Sequence, residues 1–261
     1  MLTDIINNRT LLFSLVIRDL KGRYIGSTMG IFWNVVTPLL QLLVYTIVFS
    51  TIMKVKPGPE EGTSSFVAFL FCGLIPWNAF AETVQRSAGV ILENGNLVKK
   101  VKFPMEILVV YLVISSFIHE LIALVLFLVL LTATGSLPHL PILLLPLVFI
   151  LQLILTVGLA MIISTLNVYV RDVAHIMSIV MMVWFYATPI VYPLSLVPGK
   201  MKTLMFLNPV TSLVTLYRSL FFSSKIPDIH LFTSLLFFAV LFFVAGYALF
   251  MNRKDEFVDM I

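Results

Sequence analysis

Charge is what this sequence has least of, and it is missing in blocks. No Asp, Glu, Lys or Arg occurs between Tyr24 and Met53, between Leu121 and Val170, or between Leu231 and Asn252. Of the 261 residues only 11% are charged and 60% are hydrophobic, whereas soluble domains are about a quarter charged. A spanning helix needs about 20 apolar residues to cross a hydrocarbon core of roughly 30 Å, so the middle block alone has room for two crossings. These blocks exclude a soluble domain. The chain reads as a multi-pass membrane protein.

Cysteine is nearly absent as well. The single Cys72 lies inside an apolar run, which excludes a disulfide framework and a cysteine metal set. The four histidines, His119, His139, His175 and His230, show no metal-ligand spacing, so no metal is expected. No ATP-binding loop is present: Gly199-Lys200 has Leu194 where the first glycine belongs and Met201 where Ser or Thr should follow. There is no Asp-rich pair to hold magnesium and no serine in a nucleophile-elbow context. An integral membrane glycolipid enzyme would need acidic residues clustered at one interface, and the sequence offers none. The net charge of +4 is small and scattered, which argues against nucleic acid. Basic residues in such a chain mark cytoplasmic loops and anionic lipid surfaces. Met1 to Arg9 is polar, and no cleavable signal peptide is expected.

What the sequence does have is six apolar segments, which predict an all-α fold of six transmembrane helices. The expected spans are Met29 to Met53, Ser64 to Val84, Met105 to Ala133, Pro141 to Leu166, Val173 to Val191 and Leu231 to Met251. Gly73, Pro76 and Asn78 interrupt the second. The whole chain, 1–261, forms one transmembrane unit: 1–28 on the cytoplasmic surface, 29–191 spanning five times, 192–230 outside, 231–251 the sixth span and 252–261 a cytoplasmic tail. With these spans eleven basic residues fall on the side of the termini and six on the other, which places both termini in the cytoplasm.

Two segments outside the spans have character. From Arg9 to Tyr24, Ser14, Arg18 and Lys21 form one helical stripe while Leu12, Phe13, Val16, Ile17 and Leu20 cover the opposite arc. That predicts an amphipathic helix lying on the membrane interface. Leu194 to Ser224 is apolar in patches but broken by Pro198, Gly199, Asn208 and Pro209. It reads either as re-entrant half-helices packed in protein or as an external loop with a surface helix.

Polar groups inside the spans admit two readings each. His119 and Glu120 lie in mid-span, where a charge costs about 2.5–3.5 kcal/mol, so they face protein or water. They either line a path or lock helices together. Glu82 and Arg86, four apart, form either a membrane-edge salt bridge or a functional pair. Gly22, Gly26 and Gly30 mark either a close helix approach or a bent junction.

Several motifs, in order along the chain, resemble one family. Arg18-Asp19-Leu20-Lys21-Gly22-Arg23-Tyr24 is followed by Gly26-Ser27, Gly30, Trp33 and Pro38, then by Gly73-Leu74-Ile75-Pro76-Trp77. Asn96-Leu97-Val98-Lys99-Lys100-Val101-Lys102-Phe103-Pro104 with Glu106 comes next, then Asn167-Val168-Tyr169-Val170-Arg171-Asp172. Thr188-Pro189-Ile190-Val191-Tyr192-Pro193 and Asn208-Pro209 complete the set. Together they are similar to the permease subunits of ABC exporters of bacterial cell-surface polysaccharide, over residues up to about Arg218. The resemblance implies a homodimer paired with two copies of a separate ATPase, in the bacterial cytoplasmic (inner) membrane. ATP and magnesium would be bound by that ATPase, with no cofactor on this chain. It also implies an N-terminal interface helix, a coupling helix between the second and third spans, and re-entrant helices before the last span. The cargo would be O-antigen, teichoic acid or capsular polymer, free or lipid-linked. A permease for small lipophilic compounds would share the architecture but lack an aromatic-lined conduit.

Carried onto this sequence, the resemblance assigns ATPase coupling to Arg18, Asp19, Lys21 and Arg23 of the interface helix. It assigns the same role to Asn96, Lys99, Lys100, Lys102, Phe103 and Glu106 of the coupling segment and to Arg171 and Asp172 of the second cytoplasmic loop. For the three lysines, positive-inside topology is an equal account. Along the first span Trp33, Thr37, Gln41, Tyr45 and Phe49 recur every four residues and form one slowly winding stripe. Aromatic faces stack on the C–H faces of sugars while Gln and Thr exchange hydrogen bonds with hydroxyls. The stripe is therefore expected to line a channel, with Phe185, Tyr186 and Tyr192 as further lining. Packing against another span, with Gln41 satisfied by a neighbouring helix, is the rival account.

Overall fold

The computed structural model describes residues 6–22, 32–55, 57, 62–63, 65–99, 103–135 and 138–261. Arg23, Gly26, Ser27, Gly30, Lys100 and Lys102 lie outside the described residues. Among the described residues every regular element is a helix. In chain order these are α1 (Arg9–Gly22), α2 (Trp33–Tyr45), α3 (Phe66–Glu93), α4 (Gly95–Val98), α5 (Glu106–Ala133), α6 (Leu145–Tyr169), α7 (Val173–Tyr186), α8 (Gly199–Met205), α9 (Pro209–Phe222), α10 (Ile229–Arg253) and α11 (Phe257–Met260). A π-helix, Thr46–Ile52, continues α2.

Among the described residues four helices are long and apolar enough to cross a membrane: Phe66–Glu93, Glu106–Ala133, Leu140–Tyr169 and Ile229–Met260. Two shorter apolar helices, Val36–Ile52 and Val173–Tyr186, stand where the first and fifth spans were expected. At 1.5 Å per residue the 14 residues of α7 reach about 21 Å. The fifth apolar run was expected to continue to Val191, but its helix ends at Tyr186. Pro189 explains the stop, because a proline disfavours helical geometry in the residue before it and donates no backbone hydrogen bond.

The interrupted second segment is the centre of the bundle. Helix α3 runs 28 residues, beyond the expected end at Val84, and 78% of its apolar window is buried. Its small residues Ala68, Gly73, Ala79, Ala81, Ser87 and Ala88 let α5, α6, α7 and α9 pack around it. Burial of this extent outweighs the low helix propensity of Gly73 and the missing donor of Pro76. The last two turns stay helical because Val90 and Ile91 join Leu12, Leu15 and Val16 of α1 in a second core.

The interface helix α1 packs on α5 through Leu12, Leu15 and Val16. The predicted apolar arc is split in the structure: Phe13 and Ile17 are exposed, 65% and 49%. Helices α6 and α10 cross closely at Gly158 and Gly246. A Cβ added to either glycine would collide with the backbone of the other helix. Small residues at a crossing let helix backbones touch.

Of the 14 residues of α9, eleven are buried, against α3 and α10. It is thus a packed element and not a surface helix. Asn208 starts it, its side chain accepting from Val210 N at 3.0 Å, with Pro209 preset for the first turn.

Candidate functional site

A cavity of about 670 Å³ opens between α2, α3, α5 and α7. Four members of the predicted stripe line it, Trp33, Thr37, Gln41 and Tyr45, together with Phe185 and Tyr186 of α7. Tyr45 stacks on Phe185 with centroids 5.6 Å apart, and Trp77 meets the same ring at 5.6 Å. Phe49 lies beyond the cavity, edge-on to Tyr45 at 6.3 Å. Tyr192 is not part of the lining; its hydroxyl donates to Tyr186 O at 2.8 Å. Gln41 Oε1 accepts from Asn78 Nδ2 of α3 at 3.1 Å, so the stripe both faces the cavity and touches a neighbouring helix.

Helix α5 contributes Ser116, His119 and Glu120 to the same wall. Glu120 is only 2% exposed and is the acceptor of a buried network. Gln152 Nε2 donates to its Oε2 at 2.9 Å and Tyr217 O–H to its Oε1 at 2.7 Å. Gln152 Nε2 also reaches Pro76 O at 3.2 Å, so the network joins α3, α5, α6 and α9. A carboxyl group this buried needs such partners, because an unmatched polar group in a low-dielectric interior is expensive. Sequence reading found Glu120 but missed Gln152 and Tyr217, which stand 32 and 97 positions away. Their only signal is polarity within otherwise apolar helices.

A second set of contacts, to which the sequence motifs assign no role, holds the turn after α7. Trp184 Nε1 donates to Asn208 Oδ1 at 2.8 Å, and Asn208 Nδ2 to Thr188 Oγ1 at 2.9 Å. Arg218, 4% exposed, donates to Pro189 O and Ile190 O, each at 2.7 Å, and its guanidinium lies 3.5 Å from the Phe69 ring centre. The sequence reading placed Arg218 outside with the other basic residues; here it is buried in α9.

At one end of the bundle the interface helix is tied down by charge. Asp19 pairs with Arg86 and accepts from Ser115 Oγ, and Arg86 also meets Glu82 at 3.2 Å. Arg18 Nη2 donates to Asn94 Oδ1 at 3.0 Å, linking α1 to the segment that leads into α4. Glu106, 2% exposed, binds Lys254 Nζ at 2.8 Å. Asp19 and Glu106 are therefore engaged within the chain. Lys21, Asn96, Lys99, Arg171 and Asp172 are exposed, and Phe103 is half-buried. The tail helix α11 packs on α4 and α6, with Phe257 fully buried. Both the first and the last described helices thus share this end.

Residues 10–222 match the ABC-2 type transporter family. Over 255 residues the chain is 36% identical to the O-antigen export system permease protein RfbA of Myxococcus xanthus, covering 97% of this chain and 96% of that protein. An RfbA of Klebsiella pneumoniae is 31% identical over 246 residues, 94% and 92% of the two chains. The polysialic acid transport protein KpsM of Escherichia coli is 24% identical over 244 residues, 93% of each. Helical architecture, matched motifs and full-length similarity agree: the chain belongs to the membrane-subunit family of ABC-2 type transporters.

Proposed function

We propose that this chain is the channel-forming subunit of an ATP-driven exporter that moves cell-surface polysaccharide across the cytoplasmic membrane. Two copies would enclose the conduit, and two copies of a separate ATPase would drive it from the cytoplasmic side, where both termini of this chain lie. The full-length likeness to permeases named for O-antigen export supports the cargo class. The observation that carries the reading is the cavity wall, where Trp33, Tyr45, Trp77 and Phe185 present rings beside Gln41 and Asn78.

Such a wall suits a moving glycan. Rings contact the C–H faces of sugars while amides and hydroxyls exchange hydrogen bonds with passing groups. Weak, repeated contacts permit transit where a tight site would trap the polymer. A small lipophilic cargo would not call for the exposed amide of Gln85 beside the Gln41–Asn78 pair in the lining. The exposed Asn96 and Lys99, with Lys21 and Arg171 at the same end, are the docking surface assigned to the ATPase. Asp19 and Glu106 act indirectly there, by fastening α1 and α5.

The test is export in cells that lack the chain, complemented by Trp33→Ala or Tyr45→Ala variants. A conduit role predicts normal abundance and assembly with impaired or leaky surface polymer. Loss of folded protein, with export per surviving molecule unchanged, would reduce the stripe to packing.

A further inference from the structure

Helix α5 presents one face to two cavities. Ser116, Glu120 and Ala123 line the cavity described above. Leu130 and Leu131, with Thr134 at the helix end, line a second one of about 620 Å³. Spacings of three and four residues put them all on one side of the helix. Helix α3 repeats the pattern: Phe71, Ile75 and Asn78 face the first cavity and Val67 the second, again at intervals of three or four. The two cavities thus stand one above the other along the groove between α3 and α5. The second lies at the outer end of α5 in the orientation proposed above. Ala123 and Leu130 are about 10 Å apart along the helix axis. Phe127 fills that interval, midway between Ala123 and Leu131 on the same side of α5, and is fully buried. Its ring meets Phe71, on the wall of the first cavity, edge-on at 5.4 Å. It meets Phe221, on the wall of the second, at 5.0 Å. One side chain touches both walls.

We infer that the conduit continues into the second cavity and that the Phe127 ring is the partition closing it while no polymer passes; the inference rests on the conduit reading above. The second cavity suits the same cargo chemistry as the first. Phe221 and Phe222 offer rings to the C–H faces of sugars, and Thr63, Ser65, Thr134 and His139 offer polar groups to their hydroxyls. An apolar constriction between two spaces with polar linings excludes water, and ions with it. An exporter needs such a seal, because a conduit wide enough for a sugar chain would discharge the membrane when empty. Phe127 and Phe71 belong to different helices, so a shift of α5 against α3 parts them. Close packing by itself explains why Phe127 is buried, but it gives no reason for a cavity on either side of the ring.

Thiol accessibility tests the partition. Ala123→Cys, on the inner side of Phe127, is placed in the full-length chain with Cys72→Ala. Native membranes holding it are treated with a small, membrane-impermeant methanethiosulfonate, as right-side-out and as inside-out vesicles. With Phe127 in place, Ala123→Cys is expected to react from the cytoplasmic side only. Phe127→Ala should raise its reaction from outside at least about tenfold, and Phe127→Leu, which fills more of the space, about threefold. An unchanged rate from the cytoplasmic side shows that each variant is folded. If Phe127→Ala does not accumulate, Phe127→Leu carries the comparison. Two results overturn the partition and leave the conduit standing: reaction from outside with Phe127 in place, or none from outside in a variant that still reacts from the cytoplasm. An Ala123→Cys that reacts from neither side overturns the conduit reading and this inference with it.

Discussion

The ring of Tyr45 on α2 lies nearly flat against the ring of Phe185 on α7, with centroids 5.6 Å apart and planes 22° from parallel. These are the two shorter apolar helices, and the stack joins them across the cavity wall. Stacked aromatic pairs contribute about 0.5–1.5 kcal/mol beyond their buried area. A double-mutant cycle on Tyr45→Ala and Phe185→Ala, read by thermal unfolding of the purified chain, should therefore return a coupling of that size. Tyr45→Phe should keep most of it. Strictly additive losses would mean that the two rings do not support each other.

The network around Glu120 predicts a larger effect. Glu120→Ala removes the carboxyl acceptor of Tyr217 O–H and Gln152 Nε2 and leaves them only Gln152 Oε1 and Pro76 O, a loss of about 1–3 kcal/mol. Glu120→Gln keeps an acceptor for one of them and should lose less. The same melting measurement ranks the two variants. Equal losses would show that shape, and not hydrogen bonding, is what Glu120 supplies.

How much of this was readable in the sequence differs by element. The four-residue recurrence of Trp33, Thr37, Gln41 and Tyr45 is local, so the stripe could be seen before the structure. What it faces was not local: its partners Asn78 and Phe185 come from other helices. The Glu82–Arg86 pair, one turn apart, was readable, but Asp19, the third member, lies 67 positions from Arg86. Helix α3 misled in the opposite direction. Gly73, Pro76 and Asn78 look like breakers, yet burial on all sides holds the helix through them. Periodicity reports the face of a helix that meets lipid or core in one step, and a central helix has no such face. Helix α9 is hidden for a related reason, since its burial depends on α3 and α10 closing around a segment only 14 residues long.

Topology follows from the charge bias and is open to direct test. Cysteine placed at Asn96 should react with a membrane-impermeant thiol reagent only from the cytoplasm, and cysteine at His139 only from outside. Both positions are exposed. Cys72, the single native cysteine, is buried, and its removal leaves a clean background. Labelling of both positions from one side would refute six crossings with this orientation.

The contact between Gly95 and Ile261 predicts that the tail positions the segment assigned to ATPase docking. A Cβ on Gly95 would lie 2.8 Å from Ile261 Cγ2, closer than real Cβ contacts allow. The tail cannot easily retreat, because Phe257 is fully buried and Lys254 is held by Glu106 at 2.8 Å. Glu256 adds a further tie, its carboxylate accepting from Arg253 Nη1 at 2.9 Å and from the Tyr169 hydroxyl. Gly95→Ala therefore forces either α4 or the tail to shift. Overpacking of this kind costs about 1–3 kcal/mol where neighbours are fixed. Because Asn96 lies in α4 and Lys99 follows it directly, the shift should appear as weaker binding of the partner ATPase and less hydrolysis stimulated by this chain. Ile261→Ala removes the colliding methyl, so the double variant should recover both stability and ATPase binding. Loss of ATPase binding in Gly95→Ala that Ile261→Ala does not restore would show that the glycine serves the docking surface itself and that the tail plays no part.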